Sequence, residues 1–221
     1  MRIAIEGMDG SGKTTLSKIL ADRLGYEYVN KPFKFLFETL NLSESELKDL
    51  EWKLYETEDE ALLTLFYGLG LLYGTRCNLN QNIIYDRHFV SNYYWHGNEE
   101  TMTLHQELIK LCGEPDLTVL LKASVSTRIC RIRNRNGQDK DFSNCAVYDD
   151  GYDKMEQFLQ SSGFNYIVID TEHLLPEEIA DIVIKSINLN KHKKLIKERK
   201  WEKWRDNYHL LKKNQGMFWW V

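Results

Sequence analysis

The residues with the clearest chemical pattern lie near the start of the chain, where Gly7 to Thr14 read G-M-D-G-S-G-K-T. This is a complete G-x-x-x-x-G-K-[ST] phosphate-binding loop, a motif that aims backbone N–H groups and a helix N-terminus at one anion. Its glycines permit a tight turn and a close approach to phosphate oxygens. The pattern predicts that Lys13 reaches the β- and γ-phosphates and that the Thr14 hydroxyl ligates Mg²⁺.

A second reactive pair follows a short β-branched run, where Asp86 is followed directly by Arg87. A carboxylate at the carboxyl end of a strand can hold a metal ion or its water. A guanidinium can grip a phosphate through two parallel hydrogen bonds. The alternative is a salt bridge at the end of a strand with no role in binding.

A third segment, residues 126–141, is rich in arginine and runs into a polar loop that contains glycine. Arg128, Arg131 and Arg135 are spaced i, i+3 and i+7, which places them on one face of a helix. Arginines in such a lid stabilise the charge of a transferring phosphoryl group. We expect at least one to reach the phosphates, and the alternative for any single one is a solvent-exposed basic face. The segment also contains Arg133 and Lys140.

The elements that must position these residues alternate along the chain. Strands are predicted at residues 2–6, 26–30, 82–86, 117–122 and 165–170. Helices are predicted after the loop, twice between residues 44 and 77, and at 126–135, 149–159 and 176–187. Capping boxes at Ser43–Glu46 and Thr57–Glu60 mark the two helices between 44 and 77. The order predicts an α/β fold of the P-loop NTPase type, a parallel five-stranded sheet with helices on both faces and ligands beyond the strands' carboxyl ends.

Composition narrows the class of protein. The chain has 221 residues and a net charge of −4, with no apolar run approaching the ~18 residues of a membrane span. Neither a signal-peptide pattern nor a C-x-x-C pair is present, and the six histidines lack metal-ligand spacing. We therefore expect a cytoplasmic protein with reduced thiols and no membrane partner. The cysteines are Cys77, Cys112, Cys130 and Cys145.

The last 32 residues, 190–221, differ from the rest in charge: ten Lys/Arg and three Asp/Glu give +7 and leave −11 on the preceding residues. We place a boundary near residue 189. Trp201, Trp204, Tyr208 and Leu211 fall on one helical face. A C-terminal helical tail that docks on the body or on a twin subunit is favoured. The alternative is an aromatic, basic surface that stacks on single-stranded nucleic acid.

Together the three reactive segments resemble the thymidylate kinase and deoxynucleoside kinase group of P-loop kinases, and the thymidylate kinase branch is the closer. That branch reads E-G-x-D-G-x-G-K-[ST]-T, which matches Glu6 to Thr15, and roughly D-R-Y-x-x-S-x-x-A-Y-Q-G, of which Asp86, Arg87, Ser91 and Gly97 are present. A lid at about 134–147 and the late V-I-D-T and P-E-E segments also fit. The resemblance covers residues 1–188 and implies ATP as donor, Mg²⁺, a nucleoside monophosphate kinase-like domain over 1–189, a role in nucleotide biosynthesis and a homodimer.

The motif chemistry and the resemblance assign roles to individual residues. Catalytic roles are assigned to Lys13, Asp86, Arg87, Arg131 and Arg135. The last two are included because the lid supplies the catalytic arginine in family members whose phosphate-binding loop lacks one. ATP binding is assigned to Gly7, Asp9, Gly10, Ser11, Gly12, Lys13, Thr14, Thr15 and Arg128. The acceptor is assigned to Asp9, Lys34, Phe66, Arg87, Ser91 and His96, and Mg²⁺ to Thr14 and Asp86.

The segment expected to frame the acceptor base departs from the family. Relatives carry Phe-x-x-x-Arg where this chain has Phe66 followed by Tyr67, Gly68, Leu69 and Gly70. Phe66 is expected to stack on the base. The two glycines either permit close helix packing or enlarge the base pocket, and the second interpretation predicts activity on more than one deoxynucleoside monophosphate. A rival hypothesis is that Arg76 or His96 replaces the lost arginine contact.

The identity of the acceptor can be approached chemically. A nucleoside monophosphate is largely a dianion at pH 7 and needs nearby cations rather than a general base, whereas a nucleoside hydroxyl needs a carboxylate base. After the second strand the chain has N-K-P-F-K at 30–34, with two cations and no carboxylate. This favours a nucleoside monophosphate. A deoxynucleoside kinase and a nucleotide-binding module without kinase activity remain the alternatives.

Overall fold

Five parallel strands carry the chemistry-bearing residues in the computed structural model, which describes residues 1–41, 43–77, 81–135 and 151–189. The strand order is β2-β3-β1-β4-β5. The bounds are β1 Arg2–Gly7, β2 Glu27–Asn30, β3 Ile83–Asp86, β4 Leu117–Lys122 and β5 Tyr166–Asp170. Ile5 of β1 pairs with Asp86 of β3, so the phosphate-binding loop and the Asp86–Arg87 pair leave the sheet side by side. The predicted α/β fold and five-stranded parallel sheet are confirmed.

Helices connect the strands, as a parallel sheet requires. They are α1 Lys13–Leu24, α2 Pro32–Thr39, α3 Glu44–Tyr55, α4 Glu60–Cys77, α5 Phe89–His96, α6 Met102–Cys112, α7 Val125–Arg135 and α8 Gly151–Ser161, followed by α9 at residues 176–189. Sequence patterns did not predict α2, α5 and α6. In α2, phenylalanines at alternate positions give the pattern expected of a strand. The segment is nevertheless helical, because Pro32 favours a helix start and Phe33, Leu36 and Phe37 are buried on one side of the helix.

The starts of α3 and α4 test the two predicted capping boxes. The box at Ser43 is confirmed: the Ser43 N–H donates to Glu46 Oε2 at 2.8 Å and the Glu46 N–H donates to Ser43 Oγ at 3.3 Å. The box at Thr57 is wrong. Asp59 Oδ1 instead accepts the Leu62 N–H at 2.9 Å, so α4 begins at Glu60, two residues later than a cap at Thr57 would place it.

The chain divides into two compact units, residues 1–180 and residues 181–221. The second is described only at 181–189, which are helical. The boundary near 189 stays a prediction, and the basic tail at 190–221 and most of the lid, with Lys140, lie outside the described residues. Over the described ranges, no helix is both long enough and apolar enough to cross a bilayer.

Two glycines of α4 lie where neighbouring helices approach it closely. A Cβ on Gly68 would be 2.6 Å from Leu108 Cδ1 on α6. A Cβ on Gly70 would be 2.7 Å from the backbone nitrogen of Phe33 on α2 and closer still to its Cα. The close-packing interpretation of these glycines is therefore confirmed.

This packing gives a stability prediction with a control in the same helix. Gly70→Ala is expected to lower the free energy of unfolding by about 1–3 kcal/mol, because overpacking against backbone outweighs the gain in helix propensity. A Cβ on Gly74 meets nothing closer than Pro32 Cβ at 3.7 Å, so Gly74→Ala should be neutral or stabilising by up to about 1 kcal/mol. Urea unfolding measures both, and equal shifts would contradict the assignment.

Candidate active site

The phosphate-binding loop adopts a conformation that only glycines hold without strain. Gly7, Gly10 and Gly12 have φ values of 140°, 81° and 100°. A Cβ on Gly10 would lie 2.7 Å from the carbonyl oxygen of Arg128. Gly12 is the N-cap of α1, whose first N–H groups have no partner within the helix and can therefore bind an anion. Ser11 is buried within the loop, whereas Thr14 and Thr15 are exposed in the first turn of α1.

Lys13 is held within the loop. Its ammonium donates to the Met8 carbonyl at 2.9 Å and lies 3.7 Å from Asp9 Oδ1. The side chain is 6% exposed. Burial, together with the nearby Arg87 guanidinium, lowers the pKa of Lys13 to about 8. An incoming phosphate would therefore meet a cation that is already desolvated and oriented.

Thr14 and Asp86 form the expected metal pair. The Thr14 hydroxyl donates to Asp86 Oδ2 at 2.6 Å, and the Tyr28 hydroxyl donates to the same oxygen at 3.3 Å. Asp86 is fully buried, and its Oδ1 has no hydrogen-bond partner among the described residues. A buried carboxylate oxygen of this kind needs a partner, and hydroxyl and carboxylate oxygens are ligands that Mg²⁺ prefers. The residues therefore fit a Mg²⁺ ion, which Thr14 and Asp86 would hold.

Arg87 links the loop to the start of α5. Its backbone is in the left-handed region, with φ of 77°, a strained conformation for a residue with a side chain and one that clusters at functional sites. The guanidinium forms an ion pair with Asp9 and lies 3.4 Å from Ser91 Oγ. Burial opposes ionisation of Asp9, but the charges of Arg87 and Lys13 outweigh it and lower its pKa to about 2.

Glu6 is a site residue that sequence reasoning did not single out. Its Oε1 accepts the N–H groups of His88, Val90 and Ser91 at 2.8, 3.0 and 3.3 Å, and its Oε2 accepts the Ser91 hydroxyl at 2.5 Å. Burial raises the pKa of Glu6. The carboxylate thus caps α5 and fixes the segment that begins at Arg87. The sequence feature that could have identified Glu6 is its position as an acidic residue at the end of an otherwise apolar strand.

The three arginines of α7 occupy different environments. Arg128 is fully buried beside Gly10, with its guanidinium 5.8 Å from the centre of the Tyr152 ring. Arg131 donates to Thr171 Oγ1 at 2.9 Å and to the Thr171 carbonyl at 2.6 Å. Arg135 is exposed at the end of the helix. Packing of α7, and not the spacing of its arginines, thus places Arg128 beneath the phosphate-binding loop and Arg131 against the loop that follows β5.

A cavity of about 700 Å³ adjoins Arg87. Charged residues that line it include Asp9, Lys31, Lys34 and Arg87, and the aromatic residues are Tyr55, Tyr67, Trp95, His96, His88 and Phe33. Its volume is in the range of ordinary small-molecule sites. The Tyr67 and His96 rings are parallel, with centroids 5.0 Å apart and an interplanar angle of 4°. Lys34, Ser91 and His96, all assigned to the acceptor, therefore border one space beside the phosphate-binding loop.

Several predictions about the acceptor base need correction. Phe66 packs on Phe33, with ring centroids 4.3 Å apart, and the aromatic residue of α4 that lines the cavity is its neighbour Tyr67. Gly70 contacts α2 and does not line the cavity, so the enlarged-pocket hypothesis is wrong. Arg76 is exposed and donates to the Leu111 carbonyl at 2.9 Å, so it does not replace the missing arginine.

The chain is similar to several known proteins. The thymidylate kinase family model matches residues 5–182. A cytidylate kinase of Sulfolobus acidocaldarius is 26% identical over 83% of this chain and 92% of its own length. A probable thymidylate kinase of Archaeoglobus fulgidus is 27% identical over 87% and 99%.

Solved structures share the fold. A deoxyadenosine kinase from M. mycoides with bound dATP aligns with a TM-score of 0.59 and 20% identity over 85% of this chain and all of that one. A thymidylate kinase from Ehrlichia chaffeensis aligns with a TM-score of 0.55 and 19% identity, over 85% and 98%.

Proposed function

The chain belongs to the thymidylate kinase family of phosphotransferases, and on that premise we propose that it transfers the γ-phosphoryl group of ATP to a (deoxy)nucleoside monophosphate, with Mg²⁺. The observation that carries this assignment is the cationic cavity directly beside the phosphate-binding loop, bordered by Arg87, Lys31 and Lys34. Two phosphate groups that approach each other need such cations to offset their repulsion.

The carboxylates of the cavity support a monophosphate rather than a nucleoside. Among the described residues that line it, only Asp9 and Glu51 carry carboxylates. Asp9 is paired with Arg87 and has a pKa of about 2, so it is a weak base for a hydroxyl proton. Glu51, which accepts a hydrogen bond from the Tyr67 hydroxyl at 3.1 Å, is the one lining carboxylate among the described residues that could serve as such a base. A monophosphate dianion needs no such base.

Roles for the donor site follow from the same geometry. The loop N–H groups and Lys13 bind the ATP phosphates, and Arg131 stabilises the transferring group once it leaves its hydrogen bonds to Thr171. When bound at Thr14 and Asp86, Mg²⁺ would neutralise charge on the phosphate oxygens. Arg87 binds the acceptor phosphate, with Ser91 and Glu6 fixing its position.

Acceptor-dependent release of ADP tests this function. Wild type is expected to release ADP rapidly only when ATP, Mg²⁺ and a nucleoside monophosphate are all present. A nucleotide-binding module would bind ATP without this dependence. The likeness to a deoxyadenosine kinase keeps a nucleoside acceptor as the second candidate, which the same assay with nucleosides separates.

We also propose a homodimer, as the family resemblance implies, with α4 at the interface. Leu62, Leu65 and Leu69 form an exposed apolar stripe at i, i+3 and i+7 and are 39%, 49% and 54% exposed. A self-complementary stripe of this kind suits a two-fold contact.

We also propose a cytoplasmic location. Cys77, Cys112 and Cys130 are free thiols, as a reducing compartment keeps them.

The dimer gives a prediction with a matched control. Leu65→Glu is expected to convert the dimer to a monomer in light scattering, because two carboxylates would be buried at the two-fold contact. Leu40, 57% exposed at the end of α2, lies outside the stripe, so Leu40→Glu should stay dimeric. A wild-type monomer at micromolar concentration, or a dimer that survives Leu65→Glu, would overturn the interface.

A further inference from the structure

Glu51 of α3 is the one cavity-lining carboxylate, among the described residues, that no cation contacts directly. Its Oε1 accepts from the Tyr67 hydroxyl at 3.1 Å, and Oε2 has no hydrogen bond within the described ranges. Burial raises the pKa of Glu51, while the Tyr67 hydrogen bond and the charges of Lys31 and Lys48 oppose that effect. The free oxygen is an acceptor that a ligand can satisfy.

The residues around Glu51 are suited to bind a nucleobase rather than a phosphate group. The Tyr67 hydroxyl, which holds Glu51, also contacts the Tyr55 hydroxyl at 3.3 Å, and the Tyr67 ring stacks on His96. Flat aromatic surfaces bind the faces of nucleobases, and polar atoms beside them read the edges. A carboxylate would instead repel the acceptor phosphate, which Arg87 attracts.

The hydrogen-bonding groups on the edge of a nucleobase determine which bases can pair with the Glu51 carboxylate. Cytosine, adenine and guanine each carry an exocyclic amino group, which donates hydrogen bonds. At the position of the cytosine amino group, thymine and uracil carry a carbonyl oxygen, which a carboxylate repels, and the ring N3–H is the donor left on that edge. Glu51 is half-buried, and a site that leaves such an acceptor unpaired discriminates against the ligand that lacks the amino donor.

We propose that Glu51 selects an acceptor whose base carries an exocyclic amino group, by accepting a hydrogen bond from that group at Oε2. This inference rests on the proposed kinase function and specifies its substrate class. It assigns the chain to amino-bearing nucleoside monophosphates and away from thymidylate and uridylate. Tyr67 and His96 supply the stacked aromatic surface beside it.

Rates with single acceptors test the proposal. With ATP and Mg²⁺, the best of dCMP, dAMP and dGMP is expected to exceed both dTMP and dUMP in kcat/KM by at least about tenfold, the value of one well-placed hydrogen bond and an avoided repulsion. In Glu51→Gln, whose amide both donates and accepts, that ratio should fall at least about tenfold. Asp49→Asn removes one charge from an exposed position of α3 that does not line the cavity, and should leave the ratio unchanged.

The outcomes separate this inference from the function on which it rests. If ADP release never depends on a monophosphate, the kinase proposal fails. If the enzyme is active but prefers dTMP or dUMP, or if Glu51→Gln leaves the ratio as in wild type, the role of Glu51 is wrong and the kinase proposal stands. Calorimetric binding of dCMP, dAMP, dGMP and dTMP to the wild-type protein gives a second test that needs neither turnover nor a variant. The best of the three amino-bearing monophosphates is expected to bind more tightly than dTMP, and tighter binding of dTMP would overturn the role of Glu51.

Discussion

Lys13→Ala is expected to lower the rate of phosphoryl transfer by at least about 1,000-fold while the protein stays folded. The Lys13 ammonium has two polar partners among the described residues, the Met8 carbonyl and Asp9, and Asp9 keeps its ion pair with Arg87 when the ammonium is lost. The charge matters most as negative charge moves onto the β–γ bridging oxygen, in a site already shielded from water.

The measurement is single-turnover transfer from ATP with urea unfolding in parallel. Lys18→Ala is the matched control, because Lys18 is an exposed cation of the same helix α1. It should retain full activity. Turnover of Lys13→Ala within about threefold of wild type would falsify the assignment of the loop as the donor site.

Arg87→Ala is expected to lower kcat/KM for the acceptor by about 100-fold and to leave the KM for ATP within about threefold. A charge-assisted, forked contact to phosphate contributes about 1.5–3 kcal/mol, and its loss also leaves the Asp9 carboxylate without its guanidinium partner beside an anionic substrate. Arg87→Lys keeps the charge but loses the fork, so its loss should be intermediate.

Arg76→Ala serves as the control for a removed arginine, because Arg76 is exposed and bonds only a carbonyl of α6 in the described structure. It should behave as wild type. If Arg87→Ala changes the KM for ATP alone, Arg87 belongs to the donor site and the acceptor assignment is wrong.

The sheet and the loop could be predicted because their signals are local. Short runs rich in apolar residues marked the five strands, and the loop motif specifies its own backbone through its glycines. The sequence did not reveal which face of α4 lines the cavity. Phe66 packs on α2 and Tyr67 lines the cavity, although the two are neighbours that differ by one step of about 100° around the helix. Which of the two residues faces the cavity depends on the position of α2. That helix was not predicted, because its phenylalanines alternate as they would in a strand.

Two other features depend on contacts between distant parts of the chain. Glu6 caps a helix that begins more than 80 residues later, so neither segment alone reveals the bond. Arg128 and Arg135 lie two turns apart on one basic helix, yet one is buried under the loop and the other is exposed. Charge and spacing predict a basic helix, but only packing determines which arginine turns inward.

The identity of the product shows whether the enzyme transfers the phosphoryl group to a nucleoside monophosphate. The protein is incubated with ATP and Mg²⁺, in parallel reactions, with each deoxynucleoside or its 5′-monophosphate, and the products are read by ³¹P NMR. We expect a deoxynucleoside diphosphate and ADP in equal amounts from the monophosphates, with the nucleosides unchanged. Formation of a monophosphate from a nucleoside, or ATP cleavage with no phosphorylated acceptor, would contradict this expectation.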